Sequence, residues 1–158
     1  MSDPHREYVA GFLFRQRTPT LKQVLLVRKN HPEWQKNMLN GVGGELEGRE
    51  IPGEAMIREF REEAHYMTNK WEFFAREMGP GYTVHFFRHT LDPEFEKKKP
   101  YEAPAKNDVG EELEWHDANG IKSPVIGNLN WLIPLALDPR RIECYIDTNG
   151  DIRKIVTW

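Results

Sequence analysis

Residues 7–14 (EYVAGFLF) and 21–28 (LKQVLLVR) concentrate β-branched and aromatic residues in two runs, and Thr18-Pro19-Thr20 breaks them apart, which predicts a pair of strands. A polar stretch, 30–37, leads into Leu39-Asn40-Gly41-Val42-Gly43-Gly44. Three glycines among its last four positions predict a loop that turns tightly or lets a ligand come close. From Pro52 to about Ala64 the pattern is helical: Pro52 suits a first turn, and Ile57, Phe60 and Ala64 recur at the spacing of a buried stripe. Two further strands are predicted at 71–78 and 82–91. Residues 92–110, rich in Pro, Lys and Asp, show no apolar period and predict a long loop, of a length that compact domains usually keep for function or motion. A short strand at 111–118 and a largely buried helix at 128–137, interrupted by Pro134, come next. The chain closes with IECYIDT and DIRKIVTW around Asn149-Gly150, a strong signal for a tight hairpin.

With no internal repeat, low-complexity segment or linker, 158 residues predict a single domain, 1–158, built on one core. Twenty-two Lys and Arg against 25 Asp and Glu leave a net charge of −3, so no general attraction to a long nucleic acid or an anionic membrane is expected. An anionic substrate would need a metal ion or a few placed cations. The single cysteine, Cys144, excludes an internal disulfide, fits a reducing compartment and reads as a small core residue. The first ten residues carry early charges and no apolar run resembling a signal peptide, and no apolar run approaches the roughly 20 residues that span a bilayer. A cytoplasmic protein is expected.

Glu59, Glu62 and Glu63 stand at i, i+3 and i+4 of the predicted helix, which sets three carboxylates side by side on one face. Like charges so placed destabilise a bare helix by a few tenths of a kcal/mol each. They call for a cation, and a hard divalent ion such as Mg²⁺ takes oxygen ligands and is readily shared with substrate phosphates. A solvated acidic face is the plain alternative. It leaves Arg58 in the same turn and the glycine-rich approach to the helix without an explanation.

The segment 43–66 resembles the Nudix box, G-x5-E-x7-R-E-U-x-E-E-x-G-U with U bulky and apolar. Gly44, Glu50, Arg58, Glu59, Phe60, Glu62 and Glu63 stand in register with it. The resemblance implies a Nudix-type α/β/α sandwich with a mixed central sheet and a loop–helix–loop catalytic motif, here extended by a C-terminal β-hairpin that covers an edge or forms a homodimer contact. It further implies that Glu59, Glu62, Glu63 and the Gly43 carbonyl hold Mg²⁺, with Mn²⁺ as the alternative, and that Arg58 and Glu50 pair to orient those carboxylates. A water then attacks phosphorus while a carboxylate, from the box or from Glu111 or Glu112, accepts its proton. Three positions depart from the pattern. His65 replaces the second glycine, at a helix end that often turns left-handed. Tyr66 replaces an aliphatic residue, and Glu45 stands where many triphosphate-cleaving members carry Lys. Arg28 or Lys29 could supply that missing cation.

For the substrate, the stretch 39–44 is similar to the W-N-G-F-G-G segment of the family's oxidised-purine triphosphate diphosphatases. That likeness makes Asn40 a base-reading residue, against its alternative as a turn-forming Asn before Gly. Asn128 and Trp131 lie near where that group shapes its base pocket, although Trp131 also reads as core; Pro80 and Tyr82 read as a turn and a strand start. The expected function is Mg²⁺-dependent hydrolysis of a nucleoside triphosphate, a modified purine among the candidates, to the monophosphate and pyrophosphate. The alternatives are a diphosphatase of dinucleoside polyphosphates, ADP-ribose or NADH, and a catalytically silent nucleotide-binding regulator of the same fold.

Overall fold

The computed structural model describes residues 3–140, 142–147 and 151–157. Strands β1 (Arg6–Thr18), β2 (Leu21–Arg28), β3 (Leu39–Asn40), β4 (Val42–Glu45), β5 (Glu72–Gly79), β6 (Tyr82–Thr90), β7 (Glu112–Asp117), β8 (Ile142–Ile146) and β9 (Ile152–Thr157) join in one mixed sheet. Helices α1 (Pro52–Ala64), α2 (Pro93–Lys98) and α3 (Leu129–Leu137) complete the described elements.

The alternation along β1 and β2 divides the apolar side chains between two layers, because successive side chains of a strand point to opposite faces. Phe12, Phe14, Val24 and Leu26 join Leu129, Leu132 and Ile133 of α3 on one face; Leu13, Leu25 and Val27 join Met56 and Phe60 of α1 on the other. This is the predicted α/β/α sandwich. Cys144 is buried in the α3 layer, as its sequence context suggested.

β1 is the axis of the sheet. One edge runs parallel to β6, and the other pairs with β2 near Leu13 and with β4 over Tyr8–Gly11. β2 is bordered by β7 on one side and, at Val27 and Arg28, by β3 on the other. The segment 39–45 therefore enters where β1 and β2 part, crossing from one to the other. The glycine-rich stretch read as a loop is strand, and its glycines serve close approach: a Cβ on Gly43 would stand 1.9 Å from the Val9 carbonyl oxygen. Nor is 92–110 without structure, since Asp92 caps α2 by accepting from the Glu94 amide at 3.0 Å, with Pro93 opening the helix. β8 runs parallel to β5 and β9 returns antiparallel, so the C-terminal hairpin extends the sheet along the β5 edge. Its Asn149-Gly150 turn lies outside the described residues.

α1 opens with Pro52, and Glu54 accepts the Ile51 amide at 3.0 Å. It closes on His65 at φ 53°, ψ 33°, the left-handed conformation expected where the box has glycine. Arg88 ties α3 to the sheet, donating to the Asp138 and Arg140 carbonyls at 2.9 Å and pairing with Glu72 at 2.9 Å. It thereby partners backbone acceptors just beyond the helix end.

Candidate active site

Arg58 is the hub of the motif. Its guanidinium reaches Glu50 at 2.6 Å, Glu59 at 2.7 Å and Glu62 at 3.3 Å, and donates to the Glu45 carbonyl at 3.0 Å. Glu50 also accepts the Glu47 amide at 2.7 Å, closing the loop before α1 onto the helix. The Arg58 contact holds the Glu50 carboxyl below its ordinary range. Gly44 passes directly over Glu59: a Cβ there would lie 2.5–2.8 Å from the carboxylate. The glycine thus leaves room for an acidic side chain under the strand.

Glu63 faces a concentration of negative charge. Burial, then the charges of Glu59, Glu111 and Asp108, push its carboxyl up to about 7, with Lys29 opposing them. Burial likewise raises Glu59, against the pull of Arg58. Across the cleft Glu111 is 2% exposed and accepts from the Asn30 amide at 2.8 Å, from Lys29 at 3.2 Å and from Asn107 at 3.2 Å. Burial works to raise it, but these donors together hold it below the usual carboxylate range.

These groups line a cleft of about 780 Å³. Its lining includes Glu59, Glu62, Glu63, Arg58, Gly43, Gly44, Lys29, Asp108 and Glu111. Ala10, Val84, Phe86 and Ile126 add apolar lining, Asn40 and Trp34 line the cleft as well, and Glu77 joins Tyr82 and Asn128 there by hydrogen bonds. Among the described residues no three acidic, imidazole or thiol groups already converge on one point as a metal-holding group. Glu59 and Glu62 are instead turned to Arg58. The donor set nonetheless fits a hard divalent cation: carboxylate oxygens on one helix face, with Glu62 half-exposed.

The structure brings Glu50, Arg58, Glu59, Glu62, Glu63 and Gly43 together, and it sets Asn40 and Asn128 in the same cleft. It does not bring Arg28 there. That guanidinium grips Glu114 at 2.6 and 2.9 Å and the Asn37 carbonyl at 3.1 Å, so the cleft takes Lys29, the next residue, as its cation. Glu112 pairs opposite Arg28 within the sheet, whereas Glu111, just before β7, is the one facing the cleft. Trp131 packs partly buried against the α3-side core. Sequence reasoning passed over Trp34, Asp108 and Glu77 and gave Tyr82 only a strand's duty. Trp34, a 67%-exposed aromatic inside a polar segment, was the one readable signal.

A family model described as the NUDIX domain matches residues 4–131, so the chain belongs to the Nudix family and is by that membership a hydrolase. A search of curated proteins finds no match to the chain. Among solved structures it resembles a MutT protein from Bacillus halodurans, with 16% identity, TM-score 0.64, and 96% of this chain and 97% of that one covered. The NUDIX domain of Shewanella oneidensis NrtR, complexed with ADP ribose, is similar at 16% identity and TM-score 0.67, with 85% and 87% covered. A C. elegans Ap4A hydrolase is similar at 15% identity and TM-score 0.58, with 82% and 93% covered. At these identities the likeness carries the fold.

Proposed function

We propose that this Nudix hydrolase cleaves a phosphoanhydride bond of a nucleoside triphosphate, a purine nucleotide by preference, releasing the monophosphate and pyrophosphate. The observation that carries the reading is one cleft lined by acidic helix-face groups with a lysine and also by apolar side chains beside the hydrogen-bonded group of Glu77, Tyr82 and Asn128. Phosphates suit the first and a nucleoside the second.

Glu59, Glu62, Glu63 and the Gly43 carbonyl would hold Mg²⁺, or Mn²⁺ in its place, which when bound neutralises phosphate charge and polarises the reacting phosphoryl group. Arg58 and Glu50 hold α1 to its preceding loop, so the carboxylates stay on the cleft side. Lys29, anchored by Glu111, presents the cleft's ammonium to the phosphate chain. Glu45 cannot do this, and its carboxylate instead stands 3.6 Å from Arg6. Glu111 has most of its lone pairs occupied by three donors, which favours a box glutamate as acceptor of the proton from the attacking water.

The test is product analysis with Mg²⁺ and canonical and oxidised nucleoside triphosphates, dinucleoside polyphosphates, ADP-ribose and NADH, alongside Glu63→Gln. Monophosphate and pyrophosphate from triphosphates are expected, with turnover reduced by about 100-fold or more in the variant, the scale of loss when a reacting group is misplaced. Cleavage confined to ADP-ribose, NADH or dinucleoside polyphosphates would move the substrate class. Binding without any turnover would make the chain a silent regulator.

A further inference from the structure

Among the carboxylates lining the cleft that the phosphate chemistry leaves unused is Glu77. Glu77 reaches the cleft because β5 is bulged between Phe73 and Ala75. Past the bulge Ala75 and Glu77 pair with Cys144 and Ile146, both of the α3-side layer, and Glu77 also stands opposite Val84, itself paired to Tyr8. The carboxylate therefore lies beside Val84, with Phe86 and Ala10 next on the same apolar lining. Tyr82 donates to its Oε1 at 3.0 Å and the Asn128 amide donates to its Oε2 at 2.8 Å. Both partners are neutral donors, so they orient the carboxylate without setting an opposite charge against it. A carboxylate offers about four lone-pair sites, so roughly one on each oxygen stays open. The Asn128 Oδ1, turned away from Glu77, is buried without a partner, which adds another unmatched acceptor.

Two open acceptors side by side select a ligand edge with two adjacent donors. Adenine and cytosine place an amino group beside a ring nitrogen lone pair, which a carboxylate repels. Uracil and thymine place one N–H between two carbonyls. A 2-amino-6-oxopurine alone among the common bases presents a ring N–H next to an amino group. A ribose diol has two donors as well, but the neighbouring Val84, Phe86 and Ala10 are apolar and suit the face of a ring. We infer that Glu77 is the base-reading residue of the cleft and that the base it takes is a 2-amino-6-oxopurine. The inference rests on the nucleotide reading above. It names the edge recognised and requires nothing of the purine's position 8.

Calorimetric binding of GMP, AMP, dGMP and inosine monophosphate tests it without turnover, with hydrolysis of GTP and ATP measured in parallel. GMP should bind about tenfold or more tighter than AMP, the discrimination of a two-bond base contact. dGMP should match GMP, and inosine monophosphate, which lacks the 2-amino group, should fall between GMP and AMP. Glu77→Gln should weaken GMP about 10-fold or more, the loss of hydrogen bonds to a charged group, and leave AMP unchanged. Tyr82→Phe, which keeps the carboxylate, should retain the preference for GMP. Equal binding of GMP and AMP, a preference that survives Glu77→Gln, or one that vanishes in Tyr82→Phe overturns the assignment. Much weaker dGMP shows that the carboxylate reads the sugar. Should Glu77→Gln fail to fold, the comparison of GMP with inosine monophosphate on the wild type carries the test. Failure to hydrolyse any triphosphate would sink the proposed reaction while leaving these binding ratios to decide the base.

Discussion

Gly43 and Gly44 are adjacent, lie in the same strand, and should fail in different ways when changed to alanine. At Gly43 the added Cβ meets the β1 backbone, with the Val9 oxygen at 1.9 Å and the Ala10 Cα at 2.8 Å. Ordinary contact begins near 3.4 Å, so β4 would have to retreat from β1 by about 1.5 Å at a point where Gly43 pairs with Ala10. Overpacking costs about 1–3 kcal/mol and each ladder hydrogen bond about 0.5–1.5 kcal/mol, offset by up to about 1 kcal/mol for the stiffer unfolded chain. The net is about 3 kcal/mol, or roughly 6–12 °C in Tm for a chain of this size. At Gly44 the Cβ meets only the Glu59 carboxylate, the far end of a flexible side chain. Gly44→Ala should therefore melt within about 1 kcal/mol of the wild type. Its turnover should drop by about 100-fold, the effect of an ångström's displacement of a reacting group. Urea and thermal unfolding of both variants, with Mg²⁺-dependent turnover, separate the two. Gly43→Ala as stable as the wild type would refute the close β1–β4 approach; full activity in Gly44→Ala would refute the place given to Glu59.

Arg58→Lys should cost about 1–3 kcal/mol in urea unfolding and about 10–100-fold in turnover, because an ammonium cannot span Glu50, Glu59 and the Glu45 carbonyl as the planar fork does. Burial lowers His89, packed against Trp71 and Tyr66, below its ordinary 6.5, so the unfolded chain binds more protons below that value. Its stabilisation is present above about pH 6.5 and lost as pH falls through the folded value. Glu63, raised to about 7, works the other way, favouring the fold below its ordinary 4.5 and losing that contribution as pH rises toward 7. Thermal melts of wild type and His89→Gln from about pH 7.5 down to about 5 isolate the imidazole: the wild type should lose its advantage over the variant on acidification, and parallel curves would refute the assignment.

The paired strands β1 and β2 were legible from their apolar runs and the motif from its charges at helical spacing, whereas the division of the core into two layers, where one core was expected, followed only from the family resemblance. Other features failed for local physical reasons. Strand β4 is nearly all glycine and glutamate, and what makes it a strand is the edge of β1, which no propensity encodes. Helix α2 spans six residues, too short to show a period, and its Asp92-Pro93 start was the only mark it left. Arg28 and Lys29 are neighbours at a strand end, where one residue's difference decides between Glu114 and the cleft. Glu77 was hidden by the bulge, since strict alternation from Phe74 would have turned Arg76 to the α3 side and Glu77 away from it.

The position of Arg58 explains how so many carboxylates can be folded together at all. Glu45, Glu47, Glu50, Glu59, Glu62 and Glu63 fall within one short segment, and on a bare helix the last three repel. The guanidinium contacts Glu50, Glu59 and Glu62 at once, and it is only 14% exposed, so solvent screens it little. Glu63, which Arg58 does not reach, is also the one whose carboxyl is pushed up to about 7. The fold thus neutralises the loop side of the cluster internally and leaves its uncompensated charge on the cleft side, facing Glu111 and Lys29. A substitution that removed Arg58 would spread that imbalance over the whole motif, whereas one that removed Glu63 would relieve it. The two residues should therefore separate in a single comparison: Arg58→Lys loses stability and turnover together, and Glu63→Gln loses turnover while gaining stability at neutral pH. A Glu63→Gln variant less stable than the wild type would mean that the crowding around that carboxylate had been misjudged.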